Sequence, residues 1–230
     1  MSRIVVSTHL DDAVLSCYGA LSPSTTVVTV FAGFPPAGTL GAWDAAGGAT
    51  DSRERVAERR AEDRRALALS GAKPLHLEFM DSQYVATSPT GPPTFESLVA
   101  SLRDCLEGAT TVLAPSALSA NRWPQRLRRP SYSDHRLVRD AVLAVRPDTT
   151  LYGDLPYALN PRTGGFRLPR DLDPSRRVER RLRLDDDVVS MKIASVHQYA
   201  SQLPQLSGLF GDFVNTRGLG LEVYWEPTRG

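Results

Sequence analysis

The stretch Ile4–Val14, which reads IVVSTHLDDAV, decides the fold of this chain. It opens with Ile4-Val5-Val6, a short β-branched run that predicts a buried strand. The residues from Asp12 onward carry apolar side chains at helical spacing, which predicts a helix. His9, Asp11 and Asp12 therefore lie where a strand passes into a helix. In an open α/β sheet this is the end of the strand at which ligands bind.

Predicted strands and helices alternate along the whole chain. We expect strands at Ile4–Ser7, Thr26–Phe31, Leu75–Phe79, Thr111–Ala114, Thr149–Tyr152, Arg177–Leu184 and Gly220–Trp225. We expect helices at Asp11–Leu21, Ser52–Ser70, Phe95–Leu106, Asp134–Val145 and Asp186–Ala200. The alternation predicts an α/β fold: a Rossmann-like, mainly parallel sheet with helices on both faces and a site at the carboxyl ends of the strands.

Composition limits the function classes. The 230 residues fit a single domain over 1–230, with 41% apolar and 23% charged residues and a net charge of +1. This charge gives no case for binding nucleic acid or acidic membranes, and no apolar stretch approaches membrane-spanning length. The sequence enters a strand without a charged leader, so we expect a cytoplasmic protein. Its two cysteines, Cys17 and Cys105, are expected to be free thiols, and homo-oligomerisation is left open.

Two long loops interrupt the alternation. Ala32–Asp51 is rich in Gly, Pro and Ala, and Pro115–Ser133 is rich in Arg, Pro and Ser. Both leave the carboxyl end of a predicted strand, which is the end that carries His9. Loops of this length in a compact domain are usually functional or disordered, and we expect them to form the rim of a pocket. In the helix after the first loop, Arg53–Arg65 is interleaved with acidic residues, which predicts a salt-bridged helix face.

The His and Asp residues after the first strand allow two readings. Asp11 and Asp12 could cap the following helix, where negative charge is favourable. A cap accounts for one carboxylate, however, and not for two carboxylates and a histidine. The second reading is a metal site, in which His9 and Asp12 converge on one ion and Asp11 is free for proton transfer. Catalytic zinc usually has three protein ligands, and His135, at the start of a helix that follows another strand, has the right topological position to be the third.

Several segments resemble a known enzyme family. Thr8–Asp12 resembles the His-Pro-Asp-Asp motif of the PIG-L/LmbE-like deacetylases, and Ser133–His135 resembles the end of their His-x-Asp-His motif. Other similar segments follow in the order of the family: Val30–Gly33, Arg59–Asp63, Leu151–Tyr157, Lys192–Ala194 and Tyr199–Gln202. The resemblance implies zinc-dependent hydrolysis of an N-acyl group from a small molecule, most often N-acetyl from an amino sugar.

The resemblance also implies roles for individual residues. His9, Asp12 and His135 would bind Zn²⁺, or another divalent metal, and Asp11 would be the general base. Arg59 and Asp81 match positions that contact substrate in similar proteins. Arg59 could instead belong to a ladder of salt bridges along its helix, and Asp81 could instead serve a turn. The chemistry agrees with this division, because a carboxylate beside a metal-bound water can accept a proton and return it to the leaving amine.

The chain departs from the family pattern at two positions. Leu10 stands where the first motif has proline, and we expect this to alter only local backbone stiffness. Tyr132 stands where the second motif has its first histidine. We expect Tyr132 to be catalytic, donating its O–H to the developing oxyanion. Asp134 loses its usual partner, and we expect it to support the site by orienting His135 or Arg136.

Three functions stay open on the sequence. The leading hypothesis is a zinc N-deacetylase. The second is an amide hydrolase of the same mechanism that acts on a non-sugar amide, such as an acylated amino acid, a thiol conjugate or a natural-product intermediate. The third is a binding protein on the same scaffold, in which Tyr132 marks the loss of catalysis. Asp11 argues against the third, because a binding protein does not need a free carboxylate beside a metal. No glycine-rich phosphate motif follows a predicted strand, which disfavours nucleotide binding.

Overall fold

One seven-stranded sheet forms the centre of the computed structural model, which describes residues 2–87, 91–117, 134–159, 165–215 and 217–228. The strands are β1 (Arg3–Ser7), β2 (Thr25–Thr29), β3 (Lys73–His76), β4 (Thr111–Pro115), β5 (Thr150–Tyr152), β6 (Arg177–Arg183) and β7 (Leu221–Pro227). Their order across the sheet is β3-β2-β1-β4-β5-β7-β6. The first five strands pair in parallel, whereas β7 runs antiparallel to both β5 and β6. The predicted α/β fold with a mainly parallel sheet is confirmed.

The strand order creates a crevice at the carboxyl end of β1. From β1 the chain continues in one direction to β2 and β3, and it later returns to the other side of β1 with β4 and β5. A sheet that reverses its order in this way leaves a gap between the two connections at the reversal point, where ligands bind. The segments that follow β1 and β4 therefore face one another across this gap.

Helices cover both faces of the sheet. They are α1 (Asp12–Ser16), α2 (Ala42–Ala46), α3 (Ser52–Ser70), α4 (Phe95–Leu106), α5 (Asp134–Val145), α6 (Asp186–Val196) and α7 (Leu203–Phe210). Consecutive strand residues alternate between two buried cores: Val5 packs with the core that includes α1 and α3, and Val6 packs with the core that includes α4 and α5. This alternation is the period-two geometry of a strand that is buried on both sides.

The bounds of α3, α4 and α5 agree with the prediction, because their ends have local signals. Asp51 accepts hydrogen bonds from the backbone N–H groups of Arg53 and Glu54, which caps the start of α3. Gly71 ends the same helix with φ = 75°, a left-handed conformation that glycine adopts without strain. Thr94 caps α4 in the same manner as Asp51 caps α3.

The predicted helix Asp11–Leu21 is too long. α1 ends at Ser16, because Cys17 leaves the helical conformation (φ = −145°, ψ = 41°), and a short 3-10 helix follows over Tyr18–Ala20. The chain therefore turns soon after the polar residues of the first motif.

The predicted helix Asp186–Ala200 is also too long, since α6 ends at Val196. After α6 the chain packs back against α3, where the N–H and Oγ of Ser201 both donate to the buried carboxylate of Glu62 at 2.7 Å each. A separate helix, α7, follows and was not predicted. Another short helix, α2, lies within the stretch Ala32–Asp51 that was predicted to be a loop.

Strand β3 lies two to three residues before the predicted strand Leu75–Phe79. It is an edge strand with β2 as its one neighbour in the sheet, and its side chains are largely exposed. An exposed edge strand lacks the alternating apolar pattern on which the prediction relied. The predicted β2 is likewise shifted, because it ends at Thr29, and Phe31 forms an isolated antiparallel bridge with Glu78.

The other edge of the sheet is the arginine-rich strand β6, which was predicted to within one residue. Its sequence RVERRLR is exposed along most of its length. Arg180 pairs with Glu226 of β7, and Arg181 pairs with Glu179 of its own strand. Val178 and Leu182 are also exposed on this edge.

The predicted salt-bridged face of α3 is largely wrong. Among the described residues, Arg55–Glu58 is the one ion pair that lies along this helix. Arg60 instead reaches Glu78, and Asp63 accepts hydrogen bonds from other elements. The acidic and basic residues of α3 thus face inward more often than their interleaving suggests.

Cys17 and Cys105 are free thiols, as predicted. None of the described helices has the length and apolar character needed to cross a membrane.

Candidate metal centre

The turn after β1 fixes its three polar side chains through local hydrogen bonds. Ser7 Oγ donates to the carbonyl of His9 at 2.8 Å and accepts from the N–H of Ala13 at 3.2 Å. The backbone N–H of His9 donates to Asp12 Oδ2 at 2.8 Å. Asp11 stands at the position before α1, but its side chain makes no capping hydrogen bond. Helix capping therefore does not account for Asp11.

His135 joins these residues from the other side of the crevice. It lies in the first turn of α5, and its ring centroid is 5.2 Å from that of His9. Asp12 Oδ2 lies between the two rings, 3.5 Å from His9 Nδ1 and 3.7 Å from His135 Nε2. The structure thus brings His9, Asp12 and His135 together, with one ligand atom of each within 4.8 Å of the others.

The protonation pattern of His135 fits a metal. Its Nδ1 lies 2.8 Å from Asp154 Oδ1, and because a carboxylate accepts hydrogen bonds, Nδ1 carries the hydrogen. In the neutral imidazole, which is the form that binds metals, the lone pair is then on Nε2, which is buried, faces Asp12, and has no hydrogen-bond partner among the described residues. A buried nitrogen without a partner costs free energy unless a ligand uses it. Two histidines and one carboxylate are a known ligand set for catalytic zinc.

His9 has the same arrangement with the ring nitrogens exchanged. Its Nδ1 faces Asp12, and its Nε2 lies 3.4 Å from Asp134 Oδ2 and 3.7 Å from Asp81 Oδ2. Each histidine thus directs one nitrogen toward Asp12 and presents the other to a carboxylate, which fixes its tautomer and ring orientation. His9, Asp81 and Asp134 also lie close enough together to share a cation.

The expectation that Asp134 orients His135 or Arg136 is wrong. Asp134 is the first residue of α5 and projects across the crevice to His9, while the far side of His135 is occupied by Asp154 at the end of β5. Asp154 was not assigned a role from the sequence. It is fully buried, and Ser116 Oγ donates to its second oxygen at 2.7 Å. Its position after a parallel strand, inside the family-like segment Leu151–Tyr157, was a signal that could have identified it.

Asp11 is the buried carboxylate beside the three ligand residues. Burial and the adjacent Asp12 raise the pKa of Asp11 to about 7, while the charges of His9, Arg59 and His135 oppose the rise. A carboxyl group with a pKa in this range can both accept and donate a proton near neutral pH.

Arg59 is buried and does not belong to a salt-bridge ladder along its helix. Its Nη2 lies 2.8 Å from Oδ1 of Asp44, a fully buried residue of α2. Tyr84 donates its hydroxyl to the other oxygen of Asp44 at 2.5 Å. No motif in the sequence singles out Asp44, which lies in a segment rich in Gly and Ala.

Aromatic rings form one side of the site. The ring of Tyr157 lies edge-on to His135 with centroids 5.4 Å apart, and the ring of Phe210 lies edge-on to Tyr157 at the same distance. On the other side, the Phe31 ring is 5.9 Å from His9. The unpredicted helix α7 therefore reaches the site through Phe210, and the loop that follows β2 leaves the sheet beside His9, as expected.

No family model matches the chain, and no curated protein matches it. Solved structures do match. A deacetylase of the A40926 pseudoaglycone is 26% identical, with a TM-score of 0.73 over 99% of this chain and 97% of that one. The zinc-inhibited form of teicoplanin deacetylase Orf2 is 24% identical, with a TM-score of 0.76 over 100% and 99% of the two chains. The N,N′-diacetylchitobiose deacetylase of Pyrococcus horikoshii is 17% identical, with a TM-score of 0.53 over 99% and 82%.

The three neighbours named here are PIG-L/LmbE-like deacetylases. The resemblance seen in the sequence is thereby confirmed. His9, Asp12 and His135 form a group that could hold a metal ion, as expected.

One departure from the PIG-L/LmbE-like pattern lies outside the described residues. Tyr132, expected to be catalytic, is not among them, nor is most of the predicted loop Pro115–Ser133. The other departure, Leu10, is buried, and its carbonyl accepts a hydrogen bond from Gln202 Nε2 at 2.9 Å. Gln202 belongs to the last of the segments that resemble the PIG-L/LmbE-like family.

Proposed function

We propose that this chain is a zinc-dependent N-deacetylase, which hydrolyses an N-acyl group, most simply N-acetyl, from an amino sugar or a related small metabolite. The observation that carries the proposal is the convergence of three potential ligand atoms: His9 Nδ1, Asp12 Oδ2 and His135 Nε2, the last of which has no hydrogen-bond partner among the described residues. Next to them in the turn is Asp11, whose carboxylate does not cap the helix. A cytoplasmic location, action as one domain over 1–230 and a small acylated substrate complete the proposal.

The chain's own residues divide the work. His9, Asp12 and His135 would hold the ion, and zinc bound in such a site polarises an amide carbonyl and lowers the pKa of a bound water. Asp11 accepts a proton from the attacking water and returns it to the leaving amine. Asp154 and Asp134 hold the two histidines in the orientation that leaves one nitrogen of each available.

Two further roles belong to the proposal. Tyr132 donates its O–H to the oxyanion, in place of the family's histidine. Arg59 and Asp81 bind the substrate. The position of Asp81 supports its assignment to substrate binding, because its carboxylate lies 3.7 Å from His9 Nε2 at the mouth of the crevice and is partly exposed.

The proposed substrate class rests on the neighbours. The 26% identical neighbour is a deacetylase of a pseudoaglycone, and the most distant of the three acts on N,N′-diacetylchitobiose, an N-acetylated sugar. An acylated amino sugar, free or attached to a larger natural product, is the substrate that these activities share with the chemistry of the site.

A panel assay tests the proposal. Zinc-loaded protein is incubated with N-acetylglucosamine, N,N′-diacetylchitobiose, an N-acetylated amino acid and an N-acetylated cysteine conjugate, and the released amine is measured. We expect release from the sugars, loss of activity after treatment with a chelator, and recovery when zinc is added back.

Asp11→Asn is the matched control, because it removes the proton acceptor and keeps the metal ligands. Release from the amino acid or the thiol conjugate alone would support the non-sugar amide hydrolase. Binding of the intact acylated sugars without any release would support a binding protein and contradict the proposal.

A further inference from the structure

A buried carboxylate in the segment between β2 and α3 pairs with the buried Arg59 of α3. Asp44 is the one buried residue of the short helix α2. Burying a carboxylate costs free energy unless it is paired and hydrogen-bonded. Asp44 meets this requirement, because Arg59 pairs with one of its oxygens at 2.8 Å and Tyr84 donates to the other at 2.5 Å. Burial and the contact with Asp44 raise the pKa of Tyr84, so its hydroxyl keeps the proton that it donates.

The guanidinium of Arg59 has hydrogen-bond donors that no described residue uses. Its side chain is 8% exposed, yet Nε and Nη2 make no hydrogen bond within the described residues, since the contact with Asp44 is an ion pair without hydrogen-bond alignment. Buried donors without a partner call for a ligand. The group adjoins the site, because the N–H of Tyr84 donates to the carbonyl of Asp81 at 2.9 Å, and the Asp81 carboxylate lies 3.7 Å from His9 Nε2.

We propose that Asp44, together with Tyr84, is a positioning residue that holds the guanidinium of Arg59 with its free donors facing an oxygen atom of the substrate. The inference rests on the proposed deacetylase function and adds to it the way in which the substrate is held. The ligand group is a hydroxyl or ring oxygen of the sugar, because guanidinium offers donors and no acceptor.

The helix that carries Asp44 is fixed to the rest of the protein by contacts that do not involve Asp44. The N–H of Gly41 donates to Ser52 Oγ at 2.8 Å, and Arg55 Nη2 donates to the carbonyl of Gly47 at 3.2 Å. On the other side, Gln205 of α7 donates to the carbonyl of Trp43. The segment therefore keeps its place when Asp44 is changed to asparagine, and the effect of that change falls on Arg59.

The experiment compares steady-state kinetics of the zinc-loaded wild type with three variants: Asp44→Asn, Tyr84→Phe and Arg59→Ala. For N-acetylglucosamine we expect Arg59→Ala to raise KM by about tenfold to a hundredfold, the range for a lost hydrogen bond to a charged group. Asp44→Asn and Tyr84→Phe should raise KM in the same direction by less, with kcat and zinc content close to those of the wild type. Tyr84→Phe tests the same network if Asp44→Asn fails to fold.

Two further measurements separate positioning from a structural role. The double variant Asp44→Asn/Arg59→Ala should be no worse than Arg59→Ala alone, because Asp44 acts through Arg59. With N-ethylacetamide, which has the amide but neither a sugar ring nor a hydroxyl group, the KM of Asp44→Asn should match that of the wild type. Glu58→Gln is the matched control, since it removes an acidic charge from an exposed ion pair on the same helix as Arg59.

The outcomes distinguish this inference from the proposed function. If the wild type releases no amine from any substrate, the proposed function fails and this inference fails with it. If the wild type is active and Asp44→Asn matches Glu58→Gln in KM, only the inference fails. Additive losses in the double variant, or an equal rise in KM for N-ethylacetamide, would assign Asp44 a purely structural role and would also overturn the inference.

Discussion

His135 Nδ1 and Asp154 Oδ1 lie 2.8 Å apart, and this contact determines which nitrogen of His135 faces Asp12. Asp154 is in turn held by Ser116, whose backbone carbonyl accepts a hydrogen bond from Arg139. The orientation of a proposed zinc ligand thus depends on a chain of buried polar groups that ends well behind the ligand itself.

Replacing Asp154 by asparagine is expected to weaken zinc binding by about tenfold to a hundredfold, because partners behind metal ligands contribute effects of this size. Competition with a chromophoric chelator measures the affinity. Asp148→Asn is the control, since Asp148 is an exposed aspartate that pairs with Arg146. Equal zinc affinities for the two variants would show that Asp154 does not support the metal site.

The two neighbouring aspartates are expected to separate metal binding from proton transfer. Asp11→Asn should abolish turnover and retain zinc, because the amide cannot accept the proton from water. Asp12→Asn should lose both, since Asp12 lies between the two histidines. Zinc content by elemental analysis, together with amine release, checks the pair. Loss of zinc in both variants to the same degree would mean that the roles are misassigned.

Removal of the Tyr132 hydroxyl is expected to slow turnover by roughly a hundredfold to a thousandfold, the effect of losing one oxyanion donor in other hydrolases. Tyr132→Phe should leave zinc content unchanged. Tyr18→Phe provides a comparison, because it deletes a buried hydroxyl that accepts a hydrogen bond from Ser195 of α6. A wild-type rate for Tyr132→Phe would show that another group stabilises the oxyanion.

A fully buried ion pair joins α6 to β7. Lys192 Nζ and Glu222 Oε1 are 2.8 Å apart, and both side chains are inaccessible to solvent. Lys192→Met should lower the free energy of unfolding by about 3–5 kcal/mol, because it leaves a buried charge without its partner. Urea unfolding measures this change. The additional substitution Glu222→Gln should recover part of the loss.

The exposed pair Arg180–Glu226 serves as the reference for the buried one. Arg180→Met should change the free energy of unfolding by no more than about 1 kcal/mol, since exposed ion pairs contribute little. Losses of equal size at Lys192 and Arg180 would show that burial does not set the strength of these pairs.

The sequence was sufficient where local chemistry or topology determines the structure. α3 was predicted to the residue because Asp51 and Gly71 signal its ends. His9 and His135 are far apart in the chain, but the sequence predicts that they lie close together in the fold. The reason is that parallel strands place their carboxyl ends at one edge of the sheet.

The sequence was insufficient where a residue takes its role from a distant partner. A single aspartate in a Gly- and Ala-rich segment gives no sign that Arg59 and Tyr84 will surround it, so Asp44 was missed. The chain after α6 is likewise held by a distant partner, because Ser201 donates to Glu62 on another helix. Asp134 was placed at the wrong histidine because adjacency in sequence does not show which way a side chain crosses the crevice.

The arginines of β6 affect whether this edge strand can pair with the same strand of a second copy of the protein. An edge strand offers unpaired backbone groups that another strand can extend, and here Val178 and Leu182 add exposed apolar surface. A second β6 laid alongside would bring arginine-rich strands into register, where like charges on facing strands repel. Salt screens such repulsion over about 8 Å at physiological ionic strength. Electrostatic repulsion therefore disfavours pairing of β6 with a second copy of the protein, and concentrated salt weakens this repulsion.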